Sequence, residues 1–311
     1  MTTPAPDFEA ELATHRPALL RHCYRMLGAF AEAEDLTQDT LERALRARDS
    51  YAGTAPLRRW LYAIATNACL NVLAQRKRRA LPQLERGPVG ESFELTPHEV
   101  DEWVTPAPDG ALFPDPAAAL ETRESVSLAF VALVQRMPPR QRAALLLKDV
   151  VGWSAEEIAE ALELTVPSVS SAIHRGREAL ARSEARAEEP TPAALAAFVR
   201  AWVERDLDAL VALLKQDVVL AMPPHPIWFQ GPDAVVRFLR SPRFSAFWAS
   251  LGGVTTTRAN GLPALIFLRR TEGSDGAEGA LARHALMPTR FVDGRVAEMT
   301  TFIGPSYFAG F

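Results

Sequence analysis

The chain has 311 residues, a length that suits about two domains of roughly 150 residues, each able to bury its own core. Hydrophobic residues make up 48% and charged residues 23%, the net charge is −4, and no apolar run is long enough to cross a bilayer. The start, MTTPAPDFEAEL, lacks a signal-peptide pattern, and Cys23 and Cys69 have no metal or disulfide spacing, so the expectation is a cytoplasmic protein with reduced core cysteines.

The average charge hides a division of labour. Residues 1–79 carry 12 basic and 9 acidic side chains, and six of the basic ones fall in 56–79, which holds no acid. Residues 80–120 reverse this, with Arg86 alone against eight acids.

Leu12, Leu19, Leu20, Cys23 and Leu27 recur at helical spacing, and Gly28 is a stop signal. AEDLTQDTLERAL reads as a second helix, with Leu36, Thr40, Leu41, Ala44 and Leu45 in one stripe and Asp35, Gln38, Asp39, Glu42 and Arg43 turned outward. DSYAGTAP is a loop. Pro56 then opens a long predicted helix, PLRRWLYAIATNACLNVLAQRKRR, with Leu57, Leu61, Ile64, Ala68 and Val72 toward a core. Residues 81–120 are proline-rich, acidic and weakly periodic, the composition of a linker with Trp103 and Phe113 as its docking side chains.

Helices resume near Leu120: one ends at Met137, RQRAALLLKDVV forms the next, and SAEEIAEAL begins with Ser154 and Glu157 at capping-box spacing. VPSVSSAIHRGREALARS follows, with Pro167 in its first turn. Beyond AEEPTP, helical patterns at 192–214 give way to strand-type runs, DVVLAM, PIWFQG, GVTTTRAN, PALIFLRR, GALARHALMPTRF and GRVAEMTTFI, with a hairpin signal at Asp293-Gly294. The expected fold class is multidomain: two all-α domains followed by an α+β domain.

Residues 154–180 form a helix-turn-helix pattern in which Ile158, Ala159, Leu162, Leu164, Val166, Val169 and Ile173 pack the two helices. Ser168, Ser170, Ser171, His174, Arg175 and Arg177 are left outward, where short hydroxyls allow close approach to DNA and arginines reach phosphates or guanine edges. The helix from 57 to 79 is the second candidate. Its RKRR end (Arg76, Lys77, Arg78, Arg79) also suits a helix C-terminus, but Tyr51, Arg58, Arg59, Asn67 and Asn71 add stacking, phosphate and base-edge groups for an opened strand.

With these residues in view, AEDLTQDTLERAL, LRRWLYAIATNACLNVLAQRKRR and MPPRQRAALLLKDVVGWSAEEIAEALELTVPSVSSAIHRGREAL resemble regions two and four of the extracytoplasmic-function sigma factors, the promoter-reading subunits of bacterial RNA polymerase. The resemblance implies a region-two helical bundle and a region-four helix-turn-helix. It implies that Asp35, Gln38, Asp39 and Arg43 dock on the clamp helices of the large polymerase subunit. It further implies that Ser50 and Tyr51 hold a flipped minus-10 base with Asn67 and Asn71 alongside, and that the minus-35 duplex meets Ser170, Ser171, His174, Arg175 and Arg177 with Lys148 on a phosphate. Ser170 stands where the family often has a basic residue, so no minus-35 sequence is transferred.

The C-terminal domain resembles the SnoaL-like cone, a curved sheet with helices across its mouth, through its strand order and AFVRAWVERDLDALVALLKQDVVLAMPP. Candidate pocket residues are Met222, His225, Trp228, Phe229, Trp248, Arg258 and His284, with Met222, Trp228 and Phe229 equally suited to a core. No carboxylate pair is placed for acid–base work, so neither a catalytic residue nor a cofactor is expected, and His15, His22 and Cys23 make a poor metal set.

The domain expectation is therefore region two at 1–80, linker at 81–120, region four at 121–186 and cone at 187–311. The functional expectation is a non-enzymatic alternative sigma factor, bound to core polymerase and promoter DNA but not to membrane, with the cone regulating in cis against the reading domains or the linker. The acidic linker is a candidate cover for the RKRR surface. An unknown small ligand or an anti-sigma protein is a further possible partner. A stand-alone helix-turn-helix regulator would leave the first 80 residues unexplained, and an enzyme would need a catalytic pair in the cone.

Overall fold

The computed structural model describes residues 8–51, 53, 55–90, 93–114, 124–180, 187–271 and 280–311; the domain boundaries expected at 120 and 186 lie outside these. The chain forms two units, Met1–Arg79 with Asp109–Ser183, and Ala80–Pro108 with Glu184–Phe311.

In the first unit, α1 (Phe8–Leu27), α2 (Phe30–Arg46) and α3 (Leu57–Leu73) pack around Leu19, Leu20, Cys23, Tyr24, Leu61, Ala65 and Cys69, all buried. Both cysteines are free thiols in this core. Gly28 stops α1 at φ +73°, and a Cβ there would lie 3.0 Å from Gln135 Cδ. The buried stripe of α3 runs through Leu57, Leu61, Tyr62, Ala65, Ala68 and Cys69, leaving Ile64 and Val72 only half-buried.

Helix α3 ends at Leu73, not at 79. The basic run leaves the helix because Arg79 turns inward, where its guanidinium donates to Leu27 O at 2.9 Å and to both carboxylate oxygens of Glu32. Arg76 donates to the same carboxylate. Two of the four RKRR cations thus neutralise an acid of α2.

The unit is completed by α4 (Leu128–Gln135), α5 (Pro139–Leu146), α6 (Ala155–Leu162) and α7 (Val166–Leu180). The helix expected through Val151 changes to a π-turn over Leu147–Val151 and ends at Gly152, φ +88°. Ser154 caps α6 in a capping box with Glu157. A polar network ties these helices to α1: Arg142, 2% exposed, donates to Met26 O, Gln135 Oε1 and Gln135 O, and Gln135 donates to Arg25 O. Arg25 in turn donates to Ser125 O and Oγ.

The second unit is a seven-stranded mixed sheet, ordered β2-β1-β6-β5-β4-β3 with β7 on β5. Its strands are β1 (Leu214–Ala221), β2 (Trp228–Gln230), β3 (Leu251–Ala259), β4 (Leu262–Arg270), β5 (Leu281–Val292), β6 (Arg295–Thr300) and β7 (Phe302–Ile303). The turns Asn260-Gly261 and Asp293-Gly294 have positive φ at both residues, as tight hairpins require. Helices α8 (Pro192–Glu204), α9 (Leu207–Ala212), α10 (Pro232–Leu239) and α11 (Pro242–Ser250) accompany the sheet. The last two lie between PIWFQG and GVTTTRAN, where the sequence pattern carries no expectation of a helix.

The acidic segment 80–108 is not a solvated tether. Leu81, Trp103, Val104 and Ala107 are buried, and Val89, Phe93 and Leu95 pack against the cone core. Asn260 accepts from Ala107 N–H at 2.9 Å and returns its own N–H to Ala107 O at 3.0 Å. Trp228 Nε1 donates to Arg86 O at 2.8 Å. Apolar side chains spaced among the acids supply this burial, and mean composition conceals them. Phe113 is buried in the first unit and Trp103 in the second, so the two docking residues serve different bodies.

Candidate nucleic-acid interface

On α2, burial of Ala33, Leu36, Thr37, Thr40 and Ala44 turns Asp35, Gln38, Asp39 and Arg43 to solvent as one face. The buried threonines are satisfied by their own helix, Thr37 donating to Ala33 O and Thr40 to Leu36 O. Arg43 meets Asp39 at 3.3 Å and Gln38 donates to Glu42 at 3.3 Å. Such exposed pairs are weak and yield readily to a partner.

The strand-reading candidates divide. Ser50 is exposed in a short turn and donates to Ala47 O. Tyr51 is half-buried, stacked on Trp60 with centroids 5.0 Å apart, and its hydroxyl donates to Ala55 O. Asn67 and Asn71 are exposed one turn apart on α3, and Arg58 is exposed with its guanidinium 5.6 Å from the Tyr62 ring. Arg59 is engaged: it meets Glu157 at 3.1 Å and Glu160 at 2.9 Å and lies over Trp153. Arg76 is bound to Glu32, while Lys77 and Arg78 are exposed. Burial pushes the Glu32 carboxyl up, but hydrogen bonds from Arg76 and Arg79 outweigh it and hold the group below its ordinary value.

On α7, Val169, Ala172, Ile173 and Gly176 face inward, against helices that include α6 with its Ile158, Ala159 and Leu162. A Cβ at Gly176 would lie 3.0 Å from Leu145, so glycine permits the close crossing with α5. The opposite face presents Ser168, Ser170, Ser171, His174, Arg175 and Arg177, all exposed. Val166 is 37% exposed rather than packed, because it stands at the helix start. Arg177 makes a two-pronged pair with Asp149 at 2.6 and 3.0 Å, which raises its pKa. His174 lies 3.4 Å from Glu178, and Ser168 Oγ is 2.9 Å from Thr165 Oγ1. Lys148 is half-buried in the π-turn.

The cone contains a cavity of about 190 Å³. Met222, His225 and His284 line it, together with Leu95, Trp202, Phe238, Arg243, Phe244, Phe247 and Phe267. The other candidates lie elsewhere. Trp228 grips the 80–108 segment, Phe229 stacks on Phe238 within the core, and Trp248 donates to Leu239 O beside a separate depression. Arg258 pairs with Glu189 at 2.6 Å. Burial, then Arg269, lowers His284 to about 4, and burial lowers His225. Among the described residues no cluster of three His, Cys, Asp or Glu could hold a metal, and no helix is long and apolar enough to cross a membrane.

Three family descriptions match the chain: Sigma-70 region 2 at residues 12–79, Sigma-70 region 4 at 127–180 and SnoaL-like domain at 195–299. The chain is 39% identical over 274 residues to the ECF RNA polymerase sigma factor SigG of Mycobacterium tuberculosis, covering 85% of this chain and 74% of that protein. The chain belongs to the ECF RNA polymerase sigma factors. It is 25% identical to SigJ of the same species over 97% of its length and 93% of SigJ. The SigJ crystal structure shares its fold at a TM-score of 0.64 and 23% identity, covering 97% of this chain and 98% of that one.

This sigma factor is accordingly a transcription initiation factor that works with core RNA polymerase on promoter DNA, not an enzyme. Sequence reasoning missed its inner network of Arg25, Gln135 and Arg142; the one signal was an arginine directly before the apolar run AALL of α5. It also missed Trp202, Arg243 and the α11 aromatics of the cavity, whose helical spacing reads equally as ordinary core.

Proposed function

We propose that this sigma factor reads the minus-35 duplex with Ser168, Ser170, Ser171, His174, Arg175 and Arg177 of α7, with Lys148 on a phosphate. It reads the minus-10 strand with Ser50, Tyr51, Arg58, Asn67, Asn71, Lys77 and Arg78, and docks the polymerase clamp through Asp35, Gln38, Asp39 and Arg43. Its cone modulates this activity in cis, and the whole acts in the cytoplasm. The supporting observation is the two-faced α7, buried at Val169, Ala172, Ile173 and Gly176 and polar at every exposed position from Ser168 to Glu178. Arg59 has another role: bound to Glu157 and Glu160, it holds the start of α3 to the helix-turn-helix in the free protein.

Run-off transcription with core polymerase, combined with duplex binding and strand-opening assays, tests the assignment. Arg175→Ala weakens use of the minus-35 element by about 1 to 3 kcal/mol if its contact is bidentate to guanine. Tyr51→Ala and Asn67→Ala spare duplex binding and slow open-complex formation. Equal effects of all three substitutions on one step would defeat the separation of the two surfaces.

A further inference from the structure

Arg177 is exposed on α7 and yet firmly held. Its Nε–H donates to Asp149 Oδ2 at 3.0 Å and an Nη2–H donates to Asp149 Oδ1 at 2.6 Å, so one edge of the guanidinium faces the carboxylate. The pair joins residues 28 apart in the chain, whereas the pairs Arg43–Asp39 and Arg46–Glu42 on α2 are single contacts between neighbouring turns. Exposed ion pairs are generally weak, but the two-pronged arginine–carboxylate geometry is the exception, because it fixes angle as well as distance. Asp149 is itself fixed at the middle of the π-turn Leu147–Val151, which the N–H groups of Gly152 and Trp153 close on Leu147 O. Its side chain is 27% exposed against 59% for Arg177, so the carboxylate is the anchor and the arginine the anchored group.

The donors that the pair leaves over decide what Arg177 can meet. With Nε–H and one Nη2–H on Asp149, the outer edge from Nη1 to Nη2 keeps its parallel donors. That edge matches the O6 and N7 acceptors of guanine, the commonest specific contact between arginine and a base. Ser170, His174 and Arg177 follow one another at spacings of four and three, so these exposed side chains form one stripe of α7. An arginine that swings freely loses rotamer freedom when it seats on a guanine, and it can turn to a phosphate instead. A held arginine offers one orientation.

We propose that Asp149 is a specificity-determining positioning residue, which holds the Arg177 guanidinium for a single guanine of the minus-35 duplex and keeps it off the phosphates. The proposal rests on the reading of α7 as the minus-35 reader. The carboxylate acts in two opposed directions. Its charge repels the DNA backbone and lowers affinity for every sequence, while its hold on Arg177 raises the penalty for a wrong base pair. A purely electrostatic role predicts only the first effect, and a purely structural one predicts an even loss of binding across all sequences.

The test uses holoenzyme, assembled from core polymerase and the full chain, and a library of randomised duplexes whose bound fraction is sequenced. Asp149→Asn lowers the preference for guanine at one minus-35 position about fivefold, leaves the other positions unchanged, and raises affinity for the unselected library about twofold at low salt. Arg177→Lys keeps the charge but loses the fork, so it lowers the preference at the same position, and Asp149→Asn adds no further loss in that background. Asp149→Glu retains a carboxylate and restores most of the preference. Urea denaturation of each free variant checks that it is folded. An unchanged preference in Asp149→Asn, a loss spread evenly over all positions, or losses at different positions in Asp149→Asn and Arg177→Lys would overturn the proposal. If neither Arg175→Ala nor Arg177→Ala alters the selected sequence, α7 is not the minus-35 reader, and the reading beneath the proposal fails together with it.

Discussion

Arg142 and His22 hold charge and polarity inside the first unit in opposite ways. Burial lowers the Arg142 guanidinium to about 10, still high enough to stay charged at neutral pH, and its donors satisfy carbonyls from α1 and the α4–α5 turn. Arg142→Met leaves those carbonyls and Gln135 Oε1 short of a donor and lowers unfolding free energy by about 3 kcal/mol, measurable by urea denaturation. His22 is fully buried, 2.9 Å from Thr66 Oγ1, and burial followed by Arg25 lowers it to about 3. Above its unfolded value near 6.5 the ring is neutral in both states and its contribution is complete. As pH falls from about 6.5 toward 3 the unfolded chain takes up the proton first, so stability falls by about 1.4 kcal/mol per pH unit. Denaturation of wild type and His22→Gln between pH 7 and 5 isolates that slope, which the variant lacks.

Between elements, the contact of α3 with α6 deserves its own test because it occupies a promoter-reading candidate. Arg59 is 28% exposed in its pair with Glu157, so the pair is worth well under a core contact, about 1 kcal/mol or less. Arg59→Ala should therefore reduce hydrogen-exchange protection of residues 153–162 only about two- to fivefold. Unchanged protection would show that α6 needs no hold from α3. The same element scale explains the misplaced end of α3. Composition favours a helix through the RKRR run, but the half-buried Glu32 carboxylate draws in Arg76 and Arg79 and turns the chain at Leu73. Intrinsic helix preference is a few tenths of a kcal/mol per residue and loses to such a pair.

Across the whole molecule, the chain leaves the first unit after Arg79, belongs to the second from Ala80 to Pro108, and returns to the first at Asp109. The segment between sigma regions 2 and 4 is therefore part of the cone's fold. Ending the chain at residue 186 removes Trp228, Asn260 and Phe238, the partners of Arg86, Ala107 and Phe93. Proteolysis mapped by mass spectrometry should then cut residues 86–100 at least about tenfold faster, since unfolded surface segments are the preferred cleavage sites. Equal cutting rates in the two forms would mean that the segment orders itself.

Local patterns determined much of this protein by themselves. The apolar stripe of α1, the Ser154 capping box, Pro167 in the first turn of α7, and the strand runs with their Asp293-Gly294 hairpin are legible because each is enforced by residues within one or two turns; the α2 stripe holds at Leu36, Thr40 and Ala44 but not at Leu45, which is 36% exposed because the buried line turns through Ala33 and Thr37 instead. The outward faces of α2 and α7 follow from the same periodicity. Tertiary structure alone decided which cations are already spent: Arg59 and Arg76 have the sequence context of DNA-reading groups, yet their partners lie 98 and 44 residues away. It also decided the cavity, built from Leu95, Trp202, Arg243 and His284 on segments far apart in the chain, and the fate of the 80–108 linker. Ion pairing and enclosure depend on distances through space, and a periodic pattern fixes which face a side chain takes without fixing what it meets there.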